Sequence, residues 1–291
     1  MEGHKQMNTD CAFYIGTTHD VCQDYALTGD YSATIADGCS GSILSDIGSR
    51  VLSVTAMNKI AQLNTLHDID EQELILLARP SIKVLNLPFE CLDATLLCAA
   101  KIDDASEAIC YGDGVIAIKM SNGDAFVVSI EYVDSYPFYI NYLYDETGRY
   151  KNWKANHNKL QVVFSVIKEN GEVEILNESC DSNTRIRYDG AEVGLIRVQD
   201  RRIIVDTIDP EVESIIIMSD GVQSFYQTII SGTSKHNEKI SYHDVLKELL
   251  NFKNYTGRFV QRRMNKFIKT CIKNDWNHSD DISIAAIYLG E

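Results

Sequence analysis

The chain has 291 residues, 27 Lys+Arg against 42 Asp+Glu, a formal charge of −15, 45% hydrophobic and 24% charged residues. That is the composition of a folded globular protein, and it excludes disordered, collagen-like and low-complexity classes. So acidic a chain is a poor match for nucleic acid or anionic lipid, both of which need clustered Lys/Arg, whereas converging carboxylates would suit metal cations. In chain order, strands are predicted over 12–17, 24–28 and 32–36, the last two joined by the hairpin signal Gly29-Asp30. A helix is predicted from Ser42 to Leu63, with Ser42 or Ser45 as its cap, and a second from Glu71 towards Pro80. Strands follow over 94–101 and 108–111. Two more pairs, 115–120 with 125–130 and 162–167 with 173–176, flank Asn122-Gly123 and Asn170-Gly171, both read as type I′ turns. Residues 203–207, 214–218 and 282–288 complete the strands, and amphipathic helices are predicted over 242–250 and 258–272.

The second of these late helices carries Arg258, Arg262, Arg263, Lys266, Lys269 and Lys273, expected to form a solvated face rather than a nucleic-acid site. No apolar run reaches the roughly 18 residues of a membrane span. The first residues lack a basic start followed by a long apolar segment, so no secretory signal is expected. Cysteines at 11, 22, 39, 91, 98, 110, 180 and 271 show no zinc-ligand spacing. Reduced, core-packed thiols and a cytoplasmic location are therefore expected. Residues 131–160 are dense in Tyr, Phe and Trp and lack alternation, which predicts a flap or insertion within one domain spanning 1–291. Antiparallel strands grouped around helices indicate an α+β class, and two sheets packed face to face with helix pairs outside would use this inventory.

Three acidic sites sit at the ends of apolar strands. Asp37-Gly38 follows SATIA, Asp220-Gly221 follows SIIIMS, and Asp280-Asp281 precedes ISIAAIY. Carboxylates held together repel one another unless a cation neutralises them, and hard oxygen donors select Mg²⁺ or Mn²⁺ over zinc. The glycine after Asp37 permits close backbone approach, so its carbonyl can join the ligand shell.

In order, GTTHDVCQDYA, IADGCSGS, YGDG, MSDGV and SDDISI resemble the metal-dependent protein phosphatase family, the type 2C class, and its bacterial branch in particular. The resemblance covers residues 11–289. It implies a four-layer αββα sandwich with two ions, Mg²⁺ or Mn²⁺, between the sheets, and hydrolysis of phosphoserine or phosphothreonine in proteins by a metal-activated water. By position, Asp37 would bridge the ions with the Gly38 carbonyl as a further ligand. Asp220 and Asp280 would bind the first ion, and Asp113 would assist an outer third. Asp24 would steady the attacking water.

The departures are specific. Gln23 stands where the family has a glutamate ligand to the second ion, so that ion loses a charged partner. His19 stands where eukaryotic members have a phosphate-binding arginine, and it offers one hydrogen bond in place of a bidentate fork; it is also a candidate proton donor. Ser224 replaces an aspartate of the outer site. His278, two residues before Asp280, is a candidate support for the site, and the other histidines are read as surface or packing residues. Two alternatives remain beside the phosphoprotein phosphatase: a catalytically weak phosphatase-like binding module, and a phosphatase of small molecules.

Overall fold

A computed structural model describes residues 7–290 except 103–104, 145–146, 158, 178–182, 189–190, 200, 208–210 and 232–233. His4 and Cys180 lie outside the described residues. The strands are β1 (Asn8–Tyr14), β2 (Asp24–Thr28), β3 (Ser32–Asp37), β4 (Leu96–Ile102), β5 (Ala105–Tyr111), β6 (Gly114–Met120), β7 (Ala125–Tyr132), β8 (Leu160–Ile167) and β9 (Val173–Asn177). They continue as β10 (Asn183–Tyr188), β11 (Ala191–Gln199), β12 (Arg202–Thr207), β13 (Val212–Met218), β14 (Phe225–Ser231), β15 (Ser234–Lys239), β16 (Trp276–His278) and β17 (Ile282–Tyr288). The helices are α1 (Ser45–Ile60), α2 (Glu71–Val84), α3 (Arg149–Asn156), α4 (Tyr242–Leu249) and α5 (Phe259–Lys273).

Two seven-stranded antiparallel sheets form the centre. One runs β1-β17-β13-β6-β7-β8-β9 and the other β10-β11-β12-β5-β4-β3-β2. Side chains alternate across each strand, so each sheet contributes to two apolar layers. Ile35, Leu97, Ala99 and Cys110 of the second sheet meet Ile116, Phe126, Ile215 and Ile287 of the first in the central layer. The opposite faces are covered separately. Leu52, Ala56, Leu74 and Ile75 of α1 and α2 pack on Ala36, Leu96, Cys98 and Ile109. Val245, Leu249, Val260, Met264 and Phe267 of α4 and α5 pack on Val115, Val127, Ile216 and Ile284. This is the expected α+β sandwich, with helices on both outer faces. Burial on both faces explains why these strands read as near-continuous apolar runs. Among the described residues, no helix is long and apolar enough to cross a membrane.

Several local expectations need correction. Ser42 and Ser45 do not cap α1; Leu44 precedes it in the left-handed region, with φ 55° and no side-chain cap. Helix α2 does not stop at Pro80 but runs to Val84, because Ala78 and Ile82 are buried against Cys91 and Leu92. That packing outweighs the hydrogen bond proline forfeits. The two Asn-Gly hairpins are not type I′: Gly123 and Gly171 have positive φ, but Asn122 and Asn170 do not. Each is instead a type I turn closed by a left-handed glycine, with the asparagine side chain accepting from the N–H two residues on, at 2.9 Å. A small third sheet, β15-β14-β16, was not anticipated. In α5, Arg263 is not solvated; it is buried and its Nη2 donates to Glu248 at 2.6 Å.

The 131–160 segment folds onto the α1/α2 side. Phe138, Tyr139, Ile140, Tyr142 and Trp153 join the layer formed with those helices. Its aromatic residues are thus largely core, and its remaining surface faces the mouth between the sheets.

Candidate metal centre

The acidic residues meet where the two sheets part. Asp37 ends β3 and is the cross-strand partner of Asp24 on β2. Gly38 continues as a single bridge to Ala94. A Cβ on Gly38 would lie 2.8 Å from the Ser45 carbonyl oxygen, so only glycine lets the loop turn this tightly. Asp113 sits in the link between β5 and β6, where the chain crosses from one sheet to the other. Gly112 (φ 96°) and Gly114 (φ 141°) on either side supply backbone angles that a side chain resists. Asp220 opens the short turn after β13, and Asp280 precedes β17. Met218 and Ile284 are cross-strand partners, which brings these two chain ends together.

Asp37, Gly38, Asp113, Asp220 and Asp280 all line one cleft of about 940 Å³. Glu131 and Gln223 line it as well, together with Tyr132, Tyr136, Tyr139, Tyr142 and Arg149. Glu131 and Arg149 carried no recognisable signal in the sequence, because they arrive from the end of strand β7 and the first residue of an uncapped helix.

His19, Gln23 and Asp24 stand behind this lining. His19 Nε2 lies 3.8 Å from Asp280 Oδ1, and its Nδ1 lies 3.0 Å from Asp281 Oδ2. The second approach is close but off the hydrogen-bonding direction, since Nδ1 has no hydrogen-bond partner. The two side chains therefore touch without a hydrogen bond. Asp281, unassigned from the sequence, is the anchor of the 16–23 loop: its buried carboxylate accepts from Gly16 N at 2.7 Å and from Gln23 N at 2.5 Å. Asp24 is buried and its Oδ2 accepts from Ser219 Oγ at 2.7 Å. His278 Nδ1 lies 2.8 Å from the Asp280 carbonyl oxygen, and Ser224 Oγ accepts from Asp280 N at 3.3 Å. Both hold the Asp280 backbone rather than enter the cleft.

The electrostatics of this group are unfavourable as it stands. Burial, then the charges of Asp24, Asp220 and Asp280, raises the Asp37 carboxyl well above its ordinary range. Burial and the Asp220 charge do the same to Asp113. Asp220 is raised by burial, Asp24 is raised to about 7 chiefly by burial, and Asp280 to about 6 by burial and Asp220. Protons or cations must compensate this charge. The donors are all hard oxygens, and Gln23 Oε1 and Asp24 Oδ1 are buried with no hydrogen-bond partner. Such a set fits Mg²⁺ or Mn²⁺.

Among the described residues, a tighter mixed group lies elsewhere: His67, Glu107 and Asp206 have ligand atoms within 4.8 Å of one another. That group is already satisfied internally. Asp206 takes a bond from Arg197 Nη1 and lies 2.8 Å from His67 Nε2, while Glu107 accepts from Leu66 N at 2.6 Å and from Thr65 Oγ1. It is an ion-pair network between β5, β11, β12 and the turn after α1. The cleft carboxylates are spread more widely.

The sequence profile of the family described as Protein phosphatase 2C matches residues 16–269. No curated protein sequence matches the chain. Among solved structures, the fold resembles a bacterial serine phosphatase with a TM-score of 0.52 and 12% identity, over 98% of this chain and 99% of that one. A bacterial serine phosphatase bearing an arginine-to-lysine substitution gives 0.53, 12%, 98% and 99% in the same order. At that identity the likeness shows the fold.

Proposed function

The chain belongs to the protein phosphatase 2C family, and on that premise we propose that it is a metal-dependent serine/threonine protein phosphatase that hydrolyses phosphomonoesters with an activated water. The observation that carries the reading is the arrival of Asp37, Asp113, Asp220 and Asp280 in one cleft from four separate parts of the chain. Asp37, Asp220, Asp280 and the Gly38 carbonyl would hold two cations, and Asp113 would face an outer one. Carboxylates spread too widely for one ion suit a pair. When bound, Mg²⁺ or Mn²⁺ would neutralise phosphoryl oxygens and lower the pKa of water towards about 7.

The chain's own residues do the rest. Asp281 fixes the loop that carries His19, Gln23 and Asp24. His19 braces Asp280 from behind and stands one layer from the cleft, which supports a positioning role over direct phosphate binding. Asp24 reaches Asp37 from the neighbouring strand and keeps one oxygen without a protein partner, consistent with steadying a water. Ser224 gives its hydroxyl to the Gly221 carbonyl at 2.8 Å, so it supplies structure where the family has an outer-site carboxylate. A cytoplasmic setting fits the seven described cysteines, none of which is bridged.

The test is hydrolysis of p-nitrophenyl phosphate and of a phosphoserine peptide with Mn²⁺, in wild type and Asp220→Ala. Loss of turnover in the variant supports the reading. Unchanged metal-dependent turnover in Asp220→Ala overturns it. The alternative, a weakly catalytic binding module, draws on Gln23, which brings no charge to the second ion. Phosphopeptide binding without turnover at saturating Mn²⁺ would favour it.

A further inference from the structure

Glu131 lines the same cleft as Asp37, Asp113, Asp220 and Asp280, and strand pairing sets it beside one of them. Gly114 of β6 and Ile130 of β7 are cross-strand partners. In an antiparallel pair the next residues outward are Asp113 and Glu131, so both stand at the open end of the β6–β7 hairpin. Their charges meet there. Burial first, then Asp220, then Asp280 and Glu131, raise the Asp113 carboxyl. The charge of Glu131 is also, after burial, the next cause that raises Asp220.

The carboxylate is held in place. Ser129 Oγ donates to Glu131 Oε1 at 3.1 Å, and Gln223 Nε2 donates to that hydroxyl at 3.0 Å. Gln223 belongs to the turn that Asp220 opens, so Glu131 is tied to the Asp220 turn as well as to Asp113. One hydrogen bond uses one of about four lone-pair sites on a carboxylate, which leaves it able to meet a cation. Ser224, the next residue of the same turn, is spent: its hydroxyl donates to the Gly221 carbonyl at 2.8 Å and accepts from Asp280 N at 3.3 Å. A further observation, independent of the carboxylates, calls for a polar occupant. Thr95 lines the cleft and is 3% exposed, and its hydroxyl has no hydrogen-bond partner among the described residues. Its N–H donates to the Asp37 carbonyl at 2.9 Å, and a Cβ on Gly112 would lie 2.8 Å from its Cγ2. Thr95 thus stands against both the Asp37 and the Gly112 segments, where an ion's water shell would satisfy it.

We propose that Glu131 supplies, opposite Asp113, the second carboxylate of an outer divalent-cation site, doing from β7 what Ser224 cannot do from the turn. Two carboxylates with waters completing the shell are an ordinary set for Mg²⁺ or Mn²⁺. This rests on the metal-dependent phosphatase reading above, and it goes further by assigning a ligand from a strand to which the family resemblance gives no role.

The experiment is equilibrium dialysis of the chelator-stripped full chain against Mn²⁺, counting ions per chain. Wild type is expected to fill the two central ions first and then to take a third, more weakly, at millimolar Mn²⁺. Glu131→Gln should keep the first two and weaken the last at least about tenfold. Asp113→Asn should weaken the same ion. Glu172→Gln, at an acid whose side chain is 63% exposed in the β8–β9 turn, should bind as wild type does. Wild type that stops at two ions overturns the inference, and needs no variant to fold. A third ion that survives Glu131→Gln, or that Glu172→Gln also loses, overturns it too. A folded Glu131→Gln that loses all three ions would put Glu131 in the central pair and overturn it likewise. Wild type that takes up no Mn²⁺ overturns the metal-dependent phosphatase reading itself and this inference with it.

Discussion

Asp24 and Asp37 stand opposite each other on β2 and β3, and the charge of Asp24 is, after burial, the next cause that raises the Asp37 carboxyl. Two carboxylates so placed cannot both be charged without a counterion, because each raises the cost of ionising the other. The strand pairing that builds the sheet therefore also builds a demand for a proton or a cation. That demand is the physical link between this fold and the metal-dependent activity proposed for it.

The metal-free chain should be less stable at alkaline pH. In the fold, Asp24 is raised to about 7 and Asp280 to about 6, against about 3.9 for an unfolded aspartate. A raised folded pKa contributes stability that is complete below the unfolded value and is lost as pH rises through the folded one. The melting temperature in chelator is expected to fall by several degrees between pH 5 and pH 8, and Mn²⁺ at pH 8 should restore it. A flat profile in chelator would contradict the strained cluster.

Asp220→Asn removes one charge from that cluster while keeping its shape. Thermal melts in chelator at pH 8 should show a higher melting temperature than wild type. Metal-dependent turnover should drop at least about 100-fold. A variant that gained stability and kept its turnover would separate the cluster from catalysis.

Asp281 serves the loop more than the ions. Replacing it by alanine orphans the Gly16 and Gln23 N–H groups, which it accepts at 2.7 and 2.5 Å. The expected cost is about 2–5 kcal/mol by denaturant unfolding, as for a broken buried charged contact. Less than about 0.5 kcal/mol would show that the loop is held by other means.

What the sequence revealed follows the range of the interaction. Asn122-Gly123, Asn170-Gly171 and Gly29-Asp30 marked real hairpins because a turn is decided by its own few residues, though the turn type depended on φ at the asparagine. Asp37, Asp220 and Asp280 were visible because each abuts a long apolar strand. Strands β10, β14 and β15 were not: segments such as Ser234–Lys239 are polar and rest on pairing with distant partners. Helix α2 ran past Pro80 for a tertiary reason that no local rule contains. Likewise, nothing local distinguishes Asp281 from Asp280. Only closure of the chain aims Asp280 at the cleft and Asp281 at Gly16.

Close approach between α1 and the turn at Phe89–Leu92 gives a separate test of the packing. A Cβ on Gly48 would lie 1.7 Å from the Cys91 carbonyl oxygen, so Gly48→Ala must push the helix off the turn. A loss of about 3 kcal/mol is expected by urea unfolding. An unchanged midpoint would place the helix farther out.

Calorimetric titration of the chelator-stripped chain with Mn²⁺, run in parallel on Asp37→Ala, addresses the metal centre most directly. Uptake of two ions by wild type, and loss of that uptake in the variant, is the expected result. Wild type that takes up no Mn²⁺ at millimolar concentration, or a variant that binds as wild type does, would contradict the account.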